Sequence, residues 1–115
     1  MMNIWGATKT ALTGLGLPMA ANQMMVATGA DYPDAFLVYQ LIASPSAQHA
    51  NNLESLRRYR MQVSYFARSG LSSLPDIDGA MTAAGFTRFA GHELAYNQET
   101  RHYGLALEFY FLDEE

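Results

Sequence analysis

The stretch Ala35–Ala43 (AFLVYQLIA) limits the fold more than any other part of the chain. It is nearly all apolar, rich in β-branched and aromatic residues, and too short for a typical helix. Pro33-Asp34 and Ser44-Pro45 bound it. Such a run suits a central strand covered on both faces. The next patterned stretch, residues 58–68, alternates. Tyr59, Met61, Val63 and Tyr65 share one side, and Arg60, Gln62, Ser64 and Phe66 the other. A period of two with one polar side marks a half-buried antiparallel strand. Between the two lies a polar connection, 44–57, that is long for a link between neighbouring strands. Such loops are often functional.

The remaining segments add helices and strands around this pair. Residues 3–16 carry Ile4, Ala7, Ala11, Leu12 and Leu15 at helical spacing, with Trp5 beside the stripe, and Gly14, Gly16 and Pro18 end the pattern. The segment 23–28 offers a further short strand, and the Asp31-Tyr32-Pro33-Asp34 run a turn-rich connection. Residues 73–84 read as a second helix, with Leu74, Ile77, Met81 and Ala84 as its stripe. Pro75 is expected in its first turn, Asp76 and Asp78 near its positive end, and Gly85 just past its last turn. Residues 86–96 and 101–112 form two more strands joined around Asn97–Thr100. Tyr103, Leu105, Leu107, Phe109 and Phe111 share a face of the last one, and the acidic end Asp113–Glu115 is expected to fray. The expected fold is α+β, an antiparallel sheet of four to five strands with two helices packed on one face. It forms one domain over residues 1–115, with residues 1–30 as an N-terminal helix and connection.

With 115 residues, the chain has length for one modest core. It contains no cysteine, so neither a disulfide nor a thiolate metal site can form. The formal charge is −4 and Lys9 is the sole lysine, a poor balance for gripping phosphates. No apolar stretch has the length of a transmembrane helix. Residues 1–16 lack the basic and apolar regions of a signal peptide, so the expected compartment is the cytoplasm.

Residues able to do chemistry are scattered. His49, His92 and His102 share no metal-binding spacing, although His102 could approach His92 across the last hairpin. No nucleophile elbow surrounds Ser69, Ser72 or Ser73, and no phosphate-binding loop follows Gly14. Glu93, Glu99 and Glu108 are expected to be solvated. Arg57, Arg58 and Arg60 cluster and form the candidate subunit interface, with Glu54 or the acidic tail of a neighbour as partner. His49, Asn51 and Asn52 of the polar loop join them. Met19, Met24 and Met25 could supply a pliable contact surface or fill core.

In order and spacing, three sets of segments resemble one family. They are Tyr32–Ala43, the loop with Asn51-Asn52, and the arginine-led strand ending at Arg68. The approach to Ala83-Ala84-Gly85-Phe86 and the stretch from Tyr96 through Tyr103 to Phe109 extend the likeness over about residues 30–112. Together they resemble phage tail terminator and head–tail joining proteins, including the tail-completion proteins of siphophages and their prophage relatives. The resemblance implies a virion protein of the tail or neck, present in the host cytoplasm during assembly. It implies no enzyme activity and no cofactor. Such subunits form a ring, typically sixfold, that caps the tail tube, binds the major tail tube protein and meets the head completion or connector protein. DNA would at most pass through without specific binding, and no membrane is involved. A neck, connector or minor tail protein is the neighbouring alternative, and a cytoplasmic interaction module a more distant one. A pocketed enzyme or ligand-binding domain is the competing class. The sheet edges and the projecting loop are the features expected to join copies.

Overall fold

The computed structural model describes residues 3–26, 30–43 and 56–114, and for positions 43, 56, 57, 113 and 114 the backbone alone. In chain order the elements are α1 (Ile4–Thr13), β1 (Met19–Ala21), β2 (Ala35–Ala43), β3 (Leu56–Ala67), α2 (Ile77–Ala83), β4 (Thr87–Asn97) and β5 (His102–Glu114). The strands form one five-stranded sheet in the order β1-β2-β3-β5-β4. The fold is α+β, as the sequence pattern implies. The sheet is mixed, because β1 runs parallel to β2 while every other pair is antiparallel.

Strand alternation builds the core. Tyr59, Met61, Val63, Tyr65 and Ala67 all point from β3 toward the helices and are buried. Leu37 and Tyr39 of β2 and Leu107 and Phe109 of β5 continue that layer. Ile4 and Leu12 of α1 and Ile77 and Met81 of α2 cover it. Each fully buried side chain of this size contributes about 1.5–3 kcal/mol of transfer free energy. Thr8 lies inside the same stripe, and its hydroxyl donates to the Ile4 carbonyl at 2.8 Å, so its burial costs little.

The helix ends follow local chemistry. The Asn3 side chain accepts the Gly6 N–H at 3.0 Å and starts α1. The helix stops at Thr13, earlier than the apolar spacing suggests, and Leu15 packs on the core from the turn that follows. Asp76 caps α2 by accepting the Gly79 N–H at 2.9 Å. Pro75 therefore precedes the cap and is not in the first turn, because a side-chain acceptor one residue later outcompetes it as the start signal. Beyond the other end, Gly85 adopts φ 96°, with its N–H on the Thr82 carbonyl and the Phe86 N–H on the Met81 carbonyl. This paired closure needs the left-handed conformation that glycine adopts readily, and it turns Phe86 into the core against Phe111.

Three strand expectations change. The described part of segment 23–28 is not strand; the extra strand is β1, which ends just before that segment, and it pairs Met19 with Leu37 and Ala21 with Tyr39. Asn22 ends it at φ 67°. The run Met19-Ala20-Ala21 has no strand signal of its own and is held by tertiary pairing. The strand β3 starts at Leu56 and β5 continues to Glu114, because these ends pair with each other: Leu56 lies opposite Glu114 and Arg57 opposite Asp113. The backbone of Asp113 and Glu114 is thus strand, not a frayed tail. Finally, helices cover β2 on one face only; on the other, Phe36 is buried among Tyr32, Phe66 and His102, while Val38 and Gln40 are half-buried. Among the described residues no helix is long and apolar enough to cross a membrane.

Candidate functional site on the helix-free face of the sheet

Both helices lie on one side of the sheet, which leaves the other side without a helical layer. Alternation sends Arg58, Arg60, Gln62, Ser64 and Phe66 of β3 to that side. Register places Ala106, Glu108 and Tyr110 of β5 and Phe36, Val38 and Gln40 of β2 beside them. The resulting surface has two parts.

The first part is a patch of arginines and aromatic rings where β4 starts and β5 ends. Arg60 donates to Glu108 at 2.6 Å, with both side chains partly buried. The Arg60 guanidinium also lies 4.6 Å from the Phe89 ring centre. Arg58 lies 5.7 Å over the ring of Tyr110, which meets Phe89 edge-on at 6.3 Å. Phe89 is 51% exposed and Leu112, opposite Arg58, 50%, high values for large apolar side chains.

The second part is an open groove of about 320 Å³ toward the other end of the sheet. Tyr32, Phe36 and Phe66 form a stacked aromatic side with centroid spacings of 5.9 and 5.0 Å. Gln40, Gln62 and Asn97 supply amides. None of its lining residues is charged. Behind Phe36 lies His102, 1% exposed, with Nε2–H donating to the Pro33 carbonyl at 2.8 Å. A proline carbonyl can only accept, which fixes this tautomer. Its Nδ1 is enclosed without a partner among the described residues.

Arg68 ties down the chain that flanks the groove. It donates to the Thr100 carbonyl at 2.9 Å, to Asp34 at 3.0 Å and to Asp31 at 2.8 Å. The hydrogen bond from Arg68 holds the Asp31 carboxyl below its ordinary value, and the same bond raises the Arg68 guanidinium. A separate hollow beside α2 holds Asp76 and Asp78. Asp76 is engaged in its cap and Asp78 in a 2.6 Å pair with Arg88.

The candidate interface residues divide. Arg58 and Arg60 stand together on the helix-free face. The partner of Arg60 is Glu108 of its own chain, and Glu108 is engaged, not merely solvated. Arg57 is placed by its backbone, opposite Asp113. His49, Asn51, Asn52 and Glu54 lie outside the described residues. His102 does not approach His92: the first pairs with Asn97 and the second with Ala106. His102 is a buried packing residue. Glu93, Glu99 and Glu108 occupy β4, the following turn and β5 without converging. Among the described residues no three His, Asp or Glu side chains gather as a metal would require. Sequence reasoning passed over Phe89, Tyr110 and Gln40 as surface residues. The signal for Gln40 was a lone amide inside an apolar run.

No protein-family model matches this chain, and no curated protein matches it significantly.

Proposed function

We propose that the protein is a phage virion subunit of the tail terminator or tail-completion kind. It forms a ring, typically sixfold, at the head-proximal end of the tail, and joins the tail tube to the head completion or connector protein. The observation that carries this reading is the helix-free sheet face with Phe89 exposed beside Arg60 and Leu112 exposed beside Arg58. Exposed aromatic and arginine side chains are the composition of interface centres. The likeness of residues 30–112 to that family gives the surface its partner class. The subunit contact runs through Arg58, Phe89, Tyr110 and Leu112, with Arg60 oriented by Glu108. Arg57 and the loop residues His49, Asn51, Asn52 and Glu54 extend it. A net charge of −4 would let DNA pass such a ring without sticking.

Sedimentation from micromolar to millimolar concentration, alone and with tail tubes, tests the proposal. The expected result is a closed oligomer, in solution or on tube ends, that Phe89→Asp or Leu112→Asp abolishes while circular dichroism stays unchanged. A wild-type protein that remains monomeric under both conditions would end the proposal.

A further inference from the structure

The uncharged groove has two unlike walls, and strand register makes them. Val38 faces Ser64 across β2 and β3, and Ser64 faces Ala106 across β3 and β5, so a row of short side chains forms the floor. Two residues along the strands in one direction stand Phe36 and Phe66, and two residues in the other Gln40 and Gln62. The walls are thus four residues apart, about 13 Å along a strand, which leaves room for one ring between the side chains. The volume of about 320 Å³ lies at the lower end of the range for small-molecule sites.

The polar groups here have hydrogen-bonding capacity left over. Ser64 is 5% exposed. Its oxygen accepts a Gln62 amide N–H at 3.3 Å, and its own O–H has no acceptor among the described residues. Asn97 spends its carbonyl oxygen on the N–H groups of Glu99 and Thr100, which leaves its amide N–H groups to give. Asn22 and Gln23 enter from the turn after β1, on the side of the sheet opposite to Asn97 of β4. Neutral donors and acceptors therefore surround the floor from three directions.

We infer that the groove binds a neutral saccharide ring. Hydroxyl groups both donate and accept, so one ligand satisfies the Ser64 O–H and the Gln40, Gln62 and Asn97 amides together. A pyranose carries them around its rim, as the groove carries its polar groups, and its C–H groups pack on Val38 and Phe66. A phosphate or carboxylate would lose its hydration there without a counter-charge. No lining residue is charged, Arg60 is held by Glu108, and Arg68 by Asp31 and Asp34. A nucleobase needs an open ring face to stack on, and Phe36 is already stacked with both Tyr32 and Phe66. None of the lining residues belongs to the patch of Arg58, Phe89 and Leu112, so this site does not rest on the assembly reading.

Glucose, N-acetylglucosamine and maltose, titrated into isotope-labelled wild-type protein, test the inference without a folded variant. Glucuronate serves as the charged arm and uridine as the nucleobase arm. The side-chain amide signals of Gln40, Gln62 and Asn97 should shift, and saturate, with at least one of the neutral sugars. Gln62→Leu should weaken that binding about tenfold with unchanged circular dichroism. Glucuronate should bind at least about tenfold more weakly than glucose. Amide signals that stay unmoved, or drift without saturating, with all three sugars at their highest soluble concentrations would overturn the inference. So would equal binding of glucuronate, a uridine response larger than that to every sugar, or shifts undiminished in Gln62→Leu.

Discussion

Arg60 on β3 and Glu108 on β5 meet at 2.6 Å one step diagonally across the strand pair, and the same guanidinium rests on Phe89 of β4. One cation thereby links three strands on the face that has no helix to hold it flat. Both charges are partly withdrawn from water, so the pair counts for more than a typical surface bridge. Glu108→Gln is expected to lower stability by about 1–2 kcal/mol in urea unfolding. A double-mutant cycle with Arg60→Met should return a coupling of at least ~0.5 kcal/mol. A coupling indistinguishable from zero would reduce the pair to a solvated contact.

His102 makes a second prediction about stability. It packs edge-on against Phe36 at 5.1 Å and Tyr32 at 6.2 Å while satisfying the Pro33 carbonyl. Replacement by Ala removes a filled volume and orphans that carbonyl, so a loss of about 2–4 kcal/mol is expected. His102→Gln, which can still donate, should recover part of it. If both variants unfold at the wild-type denaturant midpoint, the packing role is refuted.

Acid should act through Asp31. Arg68 lowers the Asp31 carboxyl from its ordinary 3.8, so the folded state holds that proton less tightly than the unfolded chain. The resulting stability is complete above 3.8 and is lost as pH falls through the lower folded value. Asp31→Asn should therefore destabilise slightly near neutral pH and have no effect at strongly acidic pH. Because Asp31 is exposed, added salt should shrink the neutral-pH difference. A difference that persists unchanged in strong acid would exclude this linkage.

Local pattern made part of this molecule legible. The start of β2 coincides with that of the apolar run because Pro33 and Asp34 precede it. The buried side of β3 follows from alternation alone, and Gly85 announced the end of α2. What stayed hidden depends on which strands become neighbours. The order β3-β5-β4 brings Glu108 to Arg60 across 48 positions and Pro33 to His102 across 69, and neither pairing has a local trace. The strand β1 was missed for the same reason, since only β2 makes it a strand. For the candidate site, the sequence showed which side of β3 carries the arginines. It could not show that one is already bound within the chain.

The outer border of the sheet has a further consequence. The strand β4 shifts register between Arg88 and Ala90 and again between Leu94 and Asn97, and the Arg88 side chain donates Nε–H to the Ala90 carbonyl at 3.2 Å. Irregularities of this kind spoil the straight template that a stray β-segment would copy. The β4 border is thus a poor template for strand addition, which leaves the side-chain surfaces of the sheet as the place where the proposed assembly would form its contacts.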